Sequence, residues 1–187
     1  MKKLLLSLAL VAGLGLAVNA QDKKDPAMGG TKIGVGADFA FPMGDYSKGA
    51  AGIDYGVGGS LSLQVPVASK LNFVGEAGYL NFTSKEVLGN TFSYGTVPLK
   101  AGLRYFLAEN FYAQGQVGAA VSTEKNGKTG FLYSPSVGVE FPVADKMSID
   151  VGARYEGWSG QPTGMVGLNT TRTNSFIGLR AALNFGL

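Results

Sequence analysis

Eight charged residues share one phase of a two-residue alternation, and they predict a set of ion pairs. They comprise four acids and four bases: Glu76, Lys100, Arg104, Glu140, Asp150, Arg154, Glu156 and Arg180. Charges held away from water must be paired and hydrogen-bonded. Opposite charges on facing strands satisfy that requirement, and pairs that exchange partners would open a path for ions. We expect either a closed ionic network or a gate.

The composition gives little support for a catalytic, metal-binding or nucleotide-binding site. The chain has no histidine and no cysteine, so it lacks the common metal ligands and a base that could activate serine or threonine. No nucleotide-binding motif is present, and no basic cluster exceeds two residues. We therefore predict no catalytic residue, no metal site, no cofactor and no nucleic-acid partner.

The elements that would position the charges are β-strands. In the stretch 131–158, apolar residues occupy nearly every odd position, and small, polar or charged residues occupy the even ones. Such alternation is typical of a two-faced strand. Eight segments of about 11–14 residues show it, which is enough for a tilted strand to cross a bilayer, where ~9–11 residues suffice. They are 31–41, 53–65, 71–82, 93–106, 111–123, 131–143, 147–158 and 174–187.

The connections alternate in length. Those after the second, fourth and sixth strands are short, whereas those after the first, third, fifth and seventh are longer. Short turns at one end and longer loops at the other are typical of an outer-membrane barrel. We predict an all-β, eight-stranded, antiparallel up-and-down transmembrane β-barrel.

The direction of the apolar face distinguishes two barrels. A soluble, lipocalin-like barrel turns that face inward, whereas a membrane barrel turns it outward. Eight strands enclose only a narrow space, and the bulky apolar face does not fit there. The glycine- and serine-rich face does. Aromatic residues also fall at two levels, as in interfacial girdles: Phe73, Tyr105, Phe111, Phe141 and Phe185 at one, and Phe39, Phe41, Tyr55, Tyr79, Phe131, Tyr133 and Tyr155 at the other.

The first thirty residues differ from the rest. Lys2 and Lys3 precede the apolar residues 4–16 and the small-residue site Val18-Asn19-Ala20, the pattern of a secretory signal peptide. We predict a cleaved signal peptide at 1–20, a flexible periplasmic leader at 21–30 and the barrel at 31–187. Removing Lys2 and Lys3 from the 16 basic residues leaves 14 against 13 acidic ones, so the mature chain is nearly neutral.

This pattern of strands and girdles resembles the small eight-stranded outer-membrane barrels of the OmpA and OmpX type, over about residues 31–187. The resemblance implies a monomer in the outer membrane of a Gram-negative-type bacterium, with both termini in the periplasm. It implies contacts with lipid, lipopolysaccharide and the barrel-insertion machinery, and a lumen plugged by ion pairs. Enzymes of this architecture use a histidine near the outer rim, which this chain lacks, so we expect no enzymatic activity.

Symmetric turns allow specific charge pairs to be predicted. Glu76 should face Lys100 across the third and fourth strands. Glu140 should lie opposite Asp150, which requires Arg104 or Arg154 between them. Arg180 should meet Asp38 where the first and last strands close the barrel.

The loops carry candidates for contacts outside the membrane: Tyr46, Lys48, Lys85, Lys125, Lys128 and Arg172. Solvated loop tips explain them equally well. The sequence thus predicts a structural or interaction role at the cell envelope, with an extracellular partner through the long loops left open. The alternative is a small-solute or ion-conducting porin-like channel.

Overall fold

The computed structural model describes residues 30–48, 52–86, 89–124, 127–159 and 173–187. The predicted signal peptide and nearly all of the predicted leader lie outside these ranges. The described chain forms eight strands: β1 Lys32–Met43, β2 Ile53–Ala68, β3 Leu71–Ser84, β4 Ser93–Phe106, β5 Phe111–Ser122, β6 Gly130–Ala144, β7 Met147–Ser159 and β8 Thr173–Gly186. A short 3-10 helix, Gly44–Tyr46, follows β1.

The strands form a closed barrel in chain order. Each strand pairs antiparallel with the next, and β8 pairs with β1. The predicted eight-stranded up-and-down barrel is therefore confirmed. The alternation placed most strand ends within two residues, and the largest difference is at β2, which continues to Ala68 beyond the expected end at Val65.

The stagger of the strands sets the width of the lumen. A ladder that starts at Ile33 returns to β1 at Met43, ten positions further along, after passing through Leu63, Gly75, Ala101, Val117, Tyr133, Gly157 and Ser175. With the usual spacing of residues and strands, this stagger gives a tilt of about 40° and a backbone radius of about 8 Å. Such a lumen is just wide enough to be filled by side chains.

The two faces of the sheet divide as predicted. Odd-numbered apolar side chains point outward, and Val35, Leu61 and Val117 each leave more than half of their surface exposed. Even-numbered residues point into the lumen and are mostly buried. In a soluble barrel the apolar side chains would be the buried ones. No helix among the described residues is long and apolar enough to cross a membrane.

The two ends of the barrel also differ as predicted. The connections 69–70, 107–110 and 145–146 are short, whereas 44–52, 85–92, 123–129 and 160–172 are longer. We call these the short-turn end and the long-loop end. Pro66 and Pro142 each mark a break in register just before a short turn. Proline cannot donate a ladder hydrogen bond, which is why it is tolerated at such strand ends.

Candidate functional site: a filled lumen

A compact ionic cluster closes the lumen toward the short-turn end. Arg104 Nη1 lies 2.6 Å from Asp150 Oδ2 and 2.9 Å from Glu140 Oε2. Glu140 and Asp150 are direct partners across β6 and β7, so the guanidinium lies between two like charges. The same guanidinium stacks on the ring of Tyr112, 3.7 Å from its centroid, and Tyr112 donates its hydroxyl hydrogen to Asp150 Oδ1. Arg104 therefore organises this cluster.

Glu140 has two further partners that come from distant parts of the chain. Lys32 Nζ, on the first residue of β1, donates a 2.7 Å hydrogen bond to Glu140 Oε1 from across the lumen. Ser148 Oγ donates to the same carboxylate at 2.7 Å. Glu140 is fully buried, and these donors replace the water that it loses. We call Lys32, Arg104, Tyr112, Glu140, Ser148 and Asp150 the lower cluster.

A second cluster fills the middle of the barrel. Lys100 Nζ lies 2.9 Å from Glu76 and 3.0 Å from Glu156. Arg154 lies 2.6 Å from Asp38 and 3.0 Å from Glu156. Glu156 thus joins the two cations. We call Asp38, Glu76, Lys100, Arg154 and Glu156 the middle cluster.

Arg180 lies between the two clusters. Its Nε donates to Ser60 Oγ at 2.9 Å and its Nη2 donates to Ser62 Oγ at 3.1 Å, while Nη1 is 4.0 Å from Asp150. A Cβ on Gly36 would lie 2.9 Å from Arg180 Nε. The absence of a side chain at position 36 thus lets this guanidinium lie close against β1. The five acids and five bases of the two clusters and Arg180 balance in charge.

The structure differs from the predicted pairing in one respect. Lys100 faces Glu76, and Arg104 lies between Glu140 and Asp150, as the register indicated. Arg180 is indeed the direct cross-strand partner of Asp38, but the prediction that they form the ion pair was wrong. Asp38 is bound by Arg154 from the opposite wall and accepts from Ser60 at 2.6 Å.

The lower cluster also contains members that the sequence reasoning missed. Lys32 continues the even-numbered, inward phase of β1 and could have been found by extending the pattern by one step. Tyr112 has the same phase on β5, but its role depends on Arg104 reaching across the lumen. No local pattern reports that contact.

An aromatic plug fills the lumen toward the long-loop end. Phe82 contacts the rings of Tyr46, Tyr94, Trp158 and Phe176, at centroid distances of 5.4–5.8 Å. Phe82, Trp158 and Phe176 have no exposed surface. The plug comprises ten buried residues: Ala40, Tyr46, Ile53, Leu80, Phe82, Tyr94, Ala120, Leu132, Trp158 and Phe176. Trp158 Nε1 donates to Glu156 at 2.9 Å and so connects the plug to the middle cluster.

Tyr46 was predicted to be an exposed loop residue available for contacts outside the membrane, but the structure buries its side chain. The 3-10 helix that follows β1 turns inward, so the Tyr46 ring packs on Phe82 and only 5 % of its surface remains exposed. Lys85 fastens this loop, because its Nζ donates to the Ser47 carbonyl and its backbone N–H donates to the Gly52 carbonyl, both at 2.8 Å. The described residues 44–48 of this loop therefore pack against the plug through Tyr46.

Burial of Tyr46 predicts a pH dependence. Desolvation raises the pKa of the Tyr46 phenol well above its ordinary value. Above pH ~10 the unfolded chain ionises this phenol and the folded chain does not, so stability present at lower pH is lost as the pH rises. Between pH 8 and pH 11 the free energy of unfolding of Tyr46→Phe should therefore fall by about 1 kcal/mol less than that of the wild type. Unfolding in urea at each pH measures this difference. Tyr79→Phe, at an exposed tyrosine of β3, is the control, and equal losses in both variants would contradict the assignment.

The remaining loop candidates lie outside the lumen. Lys48, Lys85 and Lys128 are exposed at the long-loop end. Lys125 and Arg172 lie outside the described residues. Among the residues that the structure describes, no group of three or more metal-binding side chains is close enough to hold a metal ion.

An apolar outer wall around a charged, filled interior defines the class of protein: a small transmembrane β-barrel. The chain belongs to the outer membrane protein beta-barrel domain family, whose model matches residues 6–185. It is located in the outer membrane and is an outer-membrane β-barrel protein. Comparison with curated proteins gave no match.

Two solved structures share the fold. The chain is similar to Neisserial surface protein A (NspA), with 16 % identity and a TM-score of 0.58, over 84 % of this chain and 97 % of that one. It is also similar to Ail, the attachment invasion locus protein of Yersinia pestis, in complex with the heparin analogue sucrose octasulfate. Here the identity is 14 % and the TM-score is 0.52, over 83 % of this chain and 96 % of that one. At these identities the likeness concerns the fold alone.

Proposed function

We propose that the protein is a closed outer-membrane barrel with a structural or interaction role at the cell envelope, and that it does not conduct solutes. The observation that carries this proposal is the filling of the lumen at three successive levels. The lower cluster, the middle cluster and the aromatic plug occupy it from the short-turn end to the long-loop end.

Opening a path would require changes at all three levels. Breaking one partner away from a buried ion pair typically costs about 3–5 kcal/mol, and Lys100, Arg104 and Arg154 each lie between two anionic partners. The plug would also have to lose contacts among fully buried rings. A filled interior of this kind fits a rigid, closed barrel that presents its loops better than it fits a channel.

The loops are the surfaces left for recognition. We place the short turns and both termini in the periplasm, where assembly involves the barrel-insertion machinery. The long loops then face outward, with Lys48, Lys85 and Lys128 exposed. Ammonium groups at that level can bind the phosphates of lipopolysaccharide, or a partner outside the cell. We propose a monomer, and we propose no enzymatic activity.

A small-solute or ion channel is the second candidate, and one observation favours it. Several buried amide and hydroxyl atoms have no protein partner, including both amide atoms of Gln64 and of Asn184, Gln116 Nε2 and Ser134 Oγ. Buried polar groups of this kind usually bind ordered water. Water beside the two clusters is what ion pairs would need in order to exchange partners and let ions pass.

Planar-bilayer recordings distinguish the two candidates. The wild-type barrel, inserted at single-molecule density, should show no steady openings at any moderate voltage. A heat-dependent shift in gel mobility on the same sample confirms that the barrel is folded. Steady, reproducible conductance from folded protein would refute the closed-barrel proposal and favour the channel. The channel would then require a path through the middle cluster, so Lys100→Met should change that conductance.

A further inference from the structure

The outer wall contains a recess that the closed lumen does not explain. It has a cavity volume of about 670 Å³ and opens on the lipid-facing side between β4 and β8. Its floor consists of four outward-facing residues with little side-chain bulk: Ala113, Gly115, Pro135 and Ala153. Tyr105 borders it toward the short-turn end, and Tyr155 and Ile177 border it toward the long-loop end.

The residues of β5 and β6 explain why the outer surface is depressed at this place. Gly115 and Pro135 are direct partners across β5 and β6. A Cβ on Gly115 would meet no atom within 4 Å, so open space lies in front of it. Pro135 has no N–H to donate, and the ladder between β6 and β7 is interrupted between the pairs Tyr133–Gly157 and Ser136–Arg154.

The surroundings of the recess indicate an uncharged, chain-like occupant. The recess is continuous with the exposed apolar surface that contacts lipid. Among the described residues, the only charged group that borders it is Arg154, which is held from the lumen side by Asp38 and Glu156. These bordering residues therefore present no unpaired charge to the lipid. The recess is a shallow depression that is open toward the lipid, which suits an acyl chain lying along the wall. A stable contact with a second protein would need a far larger area, about 1,200–2,000 Å² in total.

We propose that this recess binds one acyl chain of an inner-leaflet glycerophospholipid. The assignment to that leaflet rests on the orientation proposed above, with the short turns in the periplasm. Tyr105 is the penultimate residue of β4 and lies at that interface. Its cross-strand partner Leu71 follows the exposed Lys70, so an ammonium group is available for the lipid phosphate at the same end. The chain then rises along Ala113 and Gly115 toward Ile177.

The test is lipid retention by the folded barrel. Full-length mature protein is mixed with phosphatidylethanolamine and lipid A together, exchanged into detergent, and analysed by native mass spectrometry. The wild type should retain one phosphatidylethanolamine. Gly115→Leu places a side chain in the open space and should reduce that retention about tenfold, equivalent to about 1.4 kcal/mol.

Gly75→Leu is the matched control. Gly75 also faces outward, its Cβ would meet only Phe73 at 3.9 Å, and it does not border the recess. It should retain lipid like the wild type, and the gel-mobility shift should show that all three proteins are folded. Equal retention by Gly115→Leu and the wild type would overturn the proposal. So would preferential retention of lipid A, or a wild-type dimer that Gly115→Leu abolishes. None of these results would alter the conductance of the lumen, so the two proposals fail independently.

Discussion

Replacing Arg104 with alanine is expected to lower the free energy of unfolding by about 3–5 kcal/mol, because it leaves buried charges without their shared partner. Glu140 and Asp150 face each other across β6 and β7 and are 0 % and 1 % exposed. Lys32 would still neutralise Glu140. Asp150 would keep the Tyr112 hydroxyl, but its remaining cation, on Arg180, is 4.0 Å away.

Urea unfolding of the barrel in lipid vesicles or detergent, followed by the gel-mobility shift, measures this loss. Arg104→Met/Asp150→Asn is the informative control, because it removes one charge of each sign and should be more stable than Arg104→Ala. Lys128→Ala, at an exposed loop, should stay within about 0.5 kcal/mol of the wild type. An unchanged midpoint for Arg104→Ala, or a double variant weaker than the single one, would show that Arg104 does not neutralise this pair.

The local pattern predicted those features of the fold and the lumen that depend on neighbouring strands. A period of two fixes which side chains face inward, and the short turns fix the register on either side. Glu76 and Lys100 are direct partners in the ladder, so their contact follows from the alternation and the turn between them. The position of Glu140 opposite Asp150 follows in the same way.

Contacts across the lumen could not be predicted in this way, because they depend on the stagger and tilt accumulated around all eight strands. Lys32 and Glu140 are separated by 108 residues, and Arg154 and Asp38 by 116. Arg180 was expected to bind its ladder partner Asp38. Its side chain instead lies over Gly36 and reaches Ser60 and Ser62. An alternation pattern predicts where each residue lies along the barrel axis and which face of the sheet it is on. It does not predict the direction in which a long side chain extends.

The aromatic plug was missed for a different reason. The volume argument treated the lumen as uniformly narrow, and a role was assigned only to the aromatic residues of the outer face. Phe82 and Phe176 nevertheless have the inward phase, and Gly56 provides space where a Cβ would lie 2.7 Å from the Phe82 ring. Whether a large ring fits inside a barrel depends on the small residue beside it on the next strand.

Replacing Phe82 with alanine should have the second large effect, a loss of about 3–5 kcal/mol in the free energy of unfolding. Phe82 is fully buried and touches four aromatic rings, so its removal leaves a cavity that the rigid strands cannot close. Trp158, whose ring lies 5.4 Å away, is the only tryptophan in the chain. Its fluorescence emission should shift to the red as water reaches the cavity.

Phe41→Ala is the matched control, since Phe41 lies on the outer face and is 51 % exposed. Lipid tails fill the space that it leaves, so we expect a smaller loss of stability and no change in the emission of Trp158. If both variants lost the same stability and the emission maximum of Trp158 did not shift in either, the rings would not form the packed plug described above. In the expected case the lower and middle clusters still close the barrel, so Phe82→Ala should remain non-conducting although it is less stable.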